Sequence, residues 1–137
     1  MIVLISTATR RYAIRRDDLT SMQVVATDQD LASLSTAERP AIPIDLGALL
    51  DPADRSAPGR KHGLVVPLRR RPIVFLVERV EQSIEQATIR PLPTLISGCL
   101  RDIWAIGVLD FDDQLIILLD LRAVARSSMA QRPVATR

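Results

Sequence analysis

Apolar residues in this chain come in short runs cut by polar turns, and no long helical stripe is present. Ile2 to Ile5 is one such run and predicts a strand, turned by Ser6 to Thr9. Arg11 to Arg15 alternates polar and apolar, the pattern of a half-buried strand. Asp17 to Thr20 reads as a turn or single helical turn with Asp17 placed as its cap. Met22 to Val25 predicts a third strand. Thr27 to Pro40 is polar and poor in β-formers, which predicts a loop with a helical turn around Leu31 to Leu34. Ala41 to Leu46 is apolar and extended, and Pro40 and Pro43 confine it to a sheet edge. Gly47 to Leu50 closes it as a helical turn. Asp51 to Arg60, rich in Pro, Asp and Ala, reads as a mobile linker.

The densest stretch runs from His62 to Arg122. Leu64 to Leu68 and Ile73 to Val77 predict a hairpin about the polar link Arg69 to Pro72. The run Ile73 to Val77 is wholly apolar, as in a strand buried on both faces. Val77, Val80 and Ile84 fall at helical spacing, but no break signal separates them from the preceding run, which favours a strand with a bulge. Trp104 to Leu109 and Leu115 to Leu119 predict a second hairpin about the acidic turn Asp110 to Gln114. Leu121 to Ala125 predicts a short C-terminal helix. Many short strands with tight polar turns predict an all-β chain, a barrel or pair of barrels. The expected organisation is a single domain over 1–126, with a first barrel and linker over 1–61 and a dense second part over 62–126. Residues 127–137 are expected to be a flexible tail.

At 137 residues the chain can bury about two thirds of its unfolded surface and fold without staples. Cys99 is the single cysteine, so no internal disulfide forms. One His and one Cys rule out almost any zinc site from one chain. The net charge is +2, and Lys61 is the only lysine among 18 basic residues. The arginines are scattered and do not interleave with aromatics, which make up 3% of the chain. That argues against a single-stranded nucleic-acid groove. No run approaches the ~20 apolar residues of a membrane helix, and Met1 to Ile5 is too short for a signal peptide. The expectation is a soluble cytoplasmic protein without membrane insertion.

Catalytic chemistry finds no support. His62 lies far along the chain from Cys99, and nothing local makes a Cys–His nucleophile. Asp110, Asp112 and Asp113 lack the Gly and later Glu of a calcium loop, so a solvated acidic turn is the reading. No phosphate-binding glycine pattern occurs. No catalytic residue, metal, cofactor or small-molecule substrate is expected.

Three segments in order carry a resemblance. Ile42 to Leu50, IPIDLGALL, resembles the "v-P-V-x-D-L" strand and helical turn of the CheW-like domain. Ile73 to Val80 resembles its "V-D-x-V" strand, with Glu78 at the usual Asp. Trp104 to Val108 and Leu115 to Leu121 resemble its closing "G-v-a … l-L-D-l" hairpin and helix. Pro91-Leu92-Pro93 falls at its proline-rich crossover. The likeness spans about residues 2–125. It departs at Leu34 to Pro40, where the family has a G-x-x-x-x-R-G segment.

The resemblance implies two five-stranded SH3-like barrels with a groove between them, and an adaptor of bacterial chemosensory arrays that does no chemistry. One barrel face would bind the regulatory domain of a CheA-type histidine kinase, and the groove the tip of a chemoreceptor hairpin. By resemblance the contact positions are Leu19, Met22, Ile42, Ile44, Val77, Val80 and Gly107, with core packing as the competing role. Two other readings stay open: a small β-barrel nucleic-acid-binding protein, and a CheW-like domain that has lost a partner surface along with the Arg-Gly segment.

Overall fold

The computed structural model describes residues 1–33, 40–69, 71–85, 88–91 and 104–131. Strand β1 (Ile2–Ser6) turns through Thr7 to Arg10 into β2 (Arg11–Arg15). A 3-10 turn over Arg16–Asp18 follows, with Arg15 rather than Asp17 at its cap position and no side-chain cap bond. Next come β3 (Ser21–Val25), helix α1 (Asp28–Ser33), β4 (Ile42–Asp45) and helix α2 (Leu46–Leu50). The dense part supplies β5 (Lys61–Val66), β6 (Ile73–Val77), β7 (Arg79–Ile84), β8 (Ile89–Arg90), β9 (Ala105–Phe111), β10 (Gln114–Leu119) and helix α3 (Leu121–Gln131).

The chain is all-β with a C-terminal helix, as the patterning predicts. Its strands divide six and four rather than five and five. One sheet runs β7-β1-β2-β10-β9-β8 and the other β3-β5-β6-β4. Both draw strands from either side of residue 61, and among the described residues neither closes its ladder. The change of sheet occurs at Glu78. Val77 still pairs with His62 in the smaller sheet, whereas Arg79 pairs with Ser6 in the larger, and the Glu78 amide donates to the Ser6 carbonyl at 3.0 Å. Lys61 Nζ holds the Glu78 carboxylate at 2.9 Å, and that hydrogen bond keeps the carboxyl below the usual glutamate range. The expected bulge is present: Leu4 faces Gln82 and Ile5 faces Val80, which leaves Glu81 as the extra residue on β7. Its carboxylate grips Arg11 at 2.8 and 3.1 Å.

Alternation along β1 shows how the core is built. Val3 and Ile5 enter a cluster between the two sheets, with Ile14, Leu64, Phe75 and Val77. Ile2 and Leu4 enter a second cluster on the opposite face, with Ala13, Leu109, Ile116 and Leu118. A strand buried on both faces has no polar side to give, hence the unbroken apolar run. Helix α3 closes the first cluster with Leu121, Val124 and Ala125. Asp120 starts it, its carboxylate accepting from the Ala123 amide at 3.1 Å. The helix outruns the expected Leu121 to Ala125 and takes in residues expected as tail up to Gln131, because Ser128 is buried and Met129 packs on the core. The rest of that tail, and Pro91-Leu92-Pro93 beyond Pro91, lie outside the described residues.

Two further expectations change. The β9–β10 turn is two residues rather than five: Phe111 pairs with Gln114, and Asp112 and Asp113 take φ of 49° and 62°. That is the type I′ geometry that suits strand twist. The first part of the expected mobile linker 51–60 is pinned, through Asp51, Asp54 and Ser56. Asp54 is fully buried; its carboxylate accepts from the Thr7 hydroxyl, from the Thr9 amide at 2.8 Å and from the Thr9 hydroxyl at 2.9 Å. Asp45 accepts from Ala48 N at 3.3 Å, capping α2, and from Ser56 N at 3.1 Å.

Candidate functional site

The seven positions suggested by resemblance separate by burial. Val77 has no exposed surface, and Leu19 and Ile42 are buried in the cluster between the sheets. Each is covered by its own core, and Leu19 and Ile42 keep only 7% and 6% of their surface exposed. Gly107 is also buried: a Cβ there would lie 2.7 Å from the Ile89 side chain and 2.8 Å from the Arg90 carbonyl oxygen. It lets β8 close on β9. Met22, Ile44 and Val80 are half-buried at sheet margins.

Register explains that second group. Met22 pairs with Leu64, Leu64 with Phe75, and Phe75 with Ile44. The four residues form one apolar row across the smaller sheet. Its middle is buried and its ends sit on the edge strands β3 and β4. Val80 is placed likewise on β7, an edge of the larger sheet, opposite Ile5.

The sheet edges are not equivalent. Strand β4 carries Pro43, which lacks a donor, and Asp45; β7 carries Arg79, Glu81 and the bulge; β8 has two residues. Proline, charge and bulges are what keep an open edge from pairing with another chain. Strand β3 has none of these. Its sequence is Ser-Met-Gln-Val-Val, its ladder to β5 is regular from Ser21 to Val25, and no other strand pairs with it among the described residues. Met22 and Val24 share one face by alternation. Met22 packs on the core, while Val24 is 40% exposed. An edge strand without proline, charge or bulge, beside an exposed apolar side chain, suits an extended or β-rich partner surface. Sequence reasoning named Met22 and missed Val24. The available signal was the absence of charge and proline in β3.

The residues considered for chemistry stay apart. His62 lies on β5 opposite Val24 and Val77, and Cys99 lies outside the described residues. In the acidic turn Asp110 pairs with Arg90. Among the described residues no three His, Cys, Asp or Glu side chains gather as metal ligands, and no helix is long and apolar enough to cross a membrane.

No protein-family model matches the sequence, and no curated protein matches it. Among solved structures the chain is similar to the scaffolding protein TtCheW from Thermoanaerobacter tengcongensis. The TM-score is 0.64 at 18% identity, over 88% of this chain and 83% of that one. The chain has a CheW-like fold. Within that CheW-like fold, the segments resembling the family by sequence form β4 with α2, β6 entering β7, and β9–β10 with the start of α3. The family's Arg-Gly segment would fall mostly on residues 34–39, outside the described ones.

Proposed function

We propose that this chain is a non-catalytic cytoplasmic adaptor that couples chemoreceptors to a CheA-type histidine kinase in a bacterial chemosensory array. The observation that carries the reading is the β3 edge, free of proline, charge and bulge, with exposed Val24, set in a CheW-like fold. The order of the three sequence segments supports it independently. In this reading the kinase's regulatory domain docks on β3, with Met22 and Val24 as apolar anchors. Ile44 and Val80, at the other open margins, belong to the receptor-facing surface. Leu19, Ile42, Val77 and Gly107 act through shape, by holding the edges in place. An adaptor of this kind shifts the kinase's equilibrium by binding its states unequally, without turnover.

The test is calorimetric titration against the regulatory domain of a chemosensory kinase from the same genome. The expected result is micromolar binding, weakened on the order of tenfold or more by Val24→Lys, since a charge on an edge strand opposes pairing. The melting temperature should barely change, because Val24 is exposed. Wild-type affinity in Val24→Lys would remove β3 from the interface. No binding by the folded wild-type protein would remove the kinase as partner.

A further inference from the structure

A cavity of about 450 Å³ opens between the tip of the β5–β6 hairpin and helix α3. Its apolar lining is aliphatic: Pro67, Leu68 and Met129. Leu68 and Met129 also pack on the main core, so that lining is anchored. Among the described residues the charged lining is all of one sign, with Arg69 and Arg71 from the hairpin and Arg122 and Arg126 from the helix. Arg122 has partial compensation, its Nε lying 3.8 Å from Asp18 and an Nη donating to the Asp17 carbonyl at 3.5 Å. Asp18 is shared with Arg15 at 3.3 Å, and Asp120, the residue that starts the helix, is held by Arg15 at 3.2 Å. Among the described residues Arg69, Arg71 and Arg126 have no acidic partner.

Cations gathered around one cavity repel one another, and Arg122 and Arg126 stand one helical turn apart, where like charges oppose the helix. An anion entering the cavity relieves both effects. Guanidinium groups bind carboxylates through paired N–H···O bonds. A flexible methionine beside a leucine and a proline accepts an apolar side chain of variable shape. Among the described residues of this lining there is no aromatic platform of the kind on which nucleic-acid bases stack. We infer that the cavity takes an acidic peptide segment of a partner protein, with carboxylates flanking one apolar side chain. Arg71 and Arg126 clamp the carboxylates, and Leu68 and Met129 receive the apolar side chain. The inference stands on this geometry and does not depend on the adaptor reading.

The experiment is fluorescence anisotropy with the full chain and three labelled probes. These are a peptide with a central Leu-Phe pair flanked by aspartates, the same peptide with asparagines, and an oligo-dT of equal length. The aspartate peptide should bind saturably and lose affinity severalfold when salt rises from roughly 0.05 to 0.3 M. The asparagine peptide should not bind. The double variant Arg71→Gln/Arg126→Gln should weaken the aspartate peptide on the order of tenfold, and Arg79→Gln, on β7, should leave it unchanged. All three arginines are exposed, and matching thermal melts would show that the variants fold. Three results would overturn the inference: no saturable peptide binding, equal loss with Arg79→Gln, or binding of oligo-dT in preference to the peptide with the same dependence on Arg71 and Arg126. The last would assign the cavity to nucleic acid.

Discussion

Asp54→Ala should be among the most damaging single changes to a polar residue in this chain. The Asp54 carboxylate is wholly buried and accepts three hydrogen bonds from Thr7 and Thr9, at the turn between β1 and β2. Its backbone lies against Gly47 in α2. It thus ties the turn of the larger sheet to the helix that follows β4 of the smaller one. A hydrogen bond to a charged group contributes about 1.5–3 kcal/mol. Three do not sum, because truncation also removes a buried charge that was costly to desolvate. About 3 kcal/mol is the expected loss. Unfolding entropy for a chain of this length is about 0.3 kcal/mol/K, so the melting temperature should fall by about 10 °C. Asp54→Asn keeps the shape and one acceptor, and should lose roughly half as much. Calorimetric or circular-dichroism melts decide the matter. A loss under about 2 °C for Asp54→Ala, or equal losses for Ala and Asn, would refute the reasoning.

Other changes probe the same framework. Gly47→Ala should cost about 2 kcal/mol in denaturant unfolding despite alanine's higher helix propensity, because its Cβ would stand 2.6 Å from the Asp54 carbonyl oxygen and 2.9 Å from the Thr7 Cβ. Asp113→Gly should stabilise by about 0.5 kcal/mol in the same assay, since the residue sits at φ 62°. Val77→Asp should unfold the protein, at more than about 4 kcal/mol, and lose the cooperative melt. Burial raises the Tyr12 hydroxyl's pKa above its ordinary value. The stability from that shift is full below the unfolded value of about 10 and is lost as pH rises through the folded one. Stability should therefore drop above roughly pH 10, less steeply in Tyr12→Phe.

The strands were legible because their signals are local. Arg11 to Arg15, Ile73 to Val77 and the Pro43 segment each became a strand, Pro43 on an edge, though Arg11 to Arg15 is not half-buried as expected: Tyr12 and Ile14 enter one core cluster and Ala13 the other. What was not legible depends on residues distant in sequence. Nothing near Asp54 announces partners at Thr7 and Thr9, so a Pro-, Ala- and Asp-rich stretch reads as linker until the fold buries that one carboxylate. The change of sheet at Glu78 falls inside what looks like one run. The Asp112-Asp113 turn lacks the Asn-Gly or Asp-Gly signal, and Asp tolerates positive φ without advertising it. One local signal was passed over. Thr27 and Asp30 form a capping box, Thr27 Oγ1 accepting from Asp30 N at 3.2 Å and Asp30 accepting from Thr27 N at 3.1 Å, and it starts α1 earlier than Leu31.

The candidate site was legible only in part. Resemblance selects positions that shape the fold, which is why Leu19, Ile42, Val77 and Gly107 proved buried. The surface around them is set by which strands end up at an edge, and that follows from topology. The arginine cavity is assembled from Arg69 and Arg71 on one side and Arg122 and Arg126 on the other, a pairing that no window of sequence contains.

The most direct test of the adaptor account is kinase reconstitution. Vesicles bearing a chemoreceptor and a CheA-type kinase from the same genome would be assayed for kinase autophosphorylation with and without this chain. The account predicts that the wild-type chain makes kinase activity depend on receptor ligand and that Val24→Lys, equally folded, does so far less. Kinase activity indifferent to the folded wild-type chain at saturating concentration would contradict it.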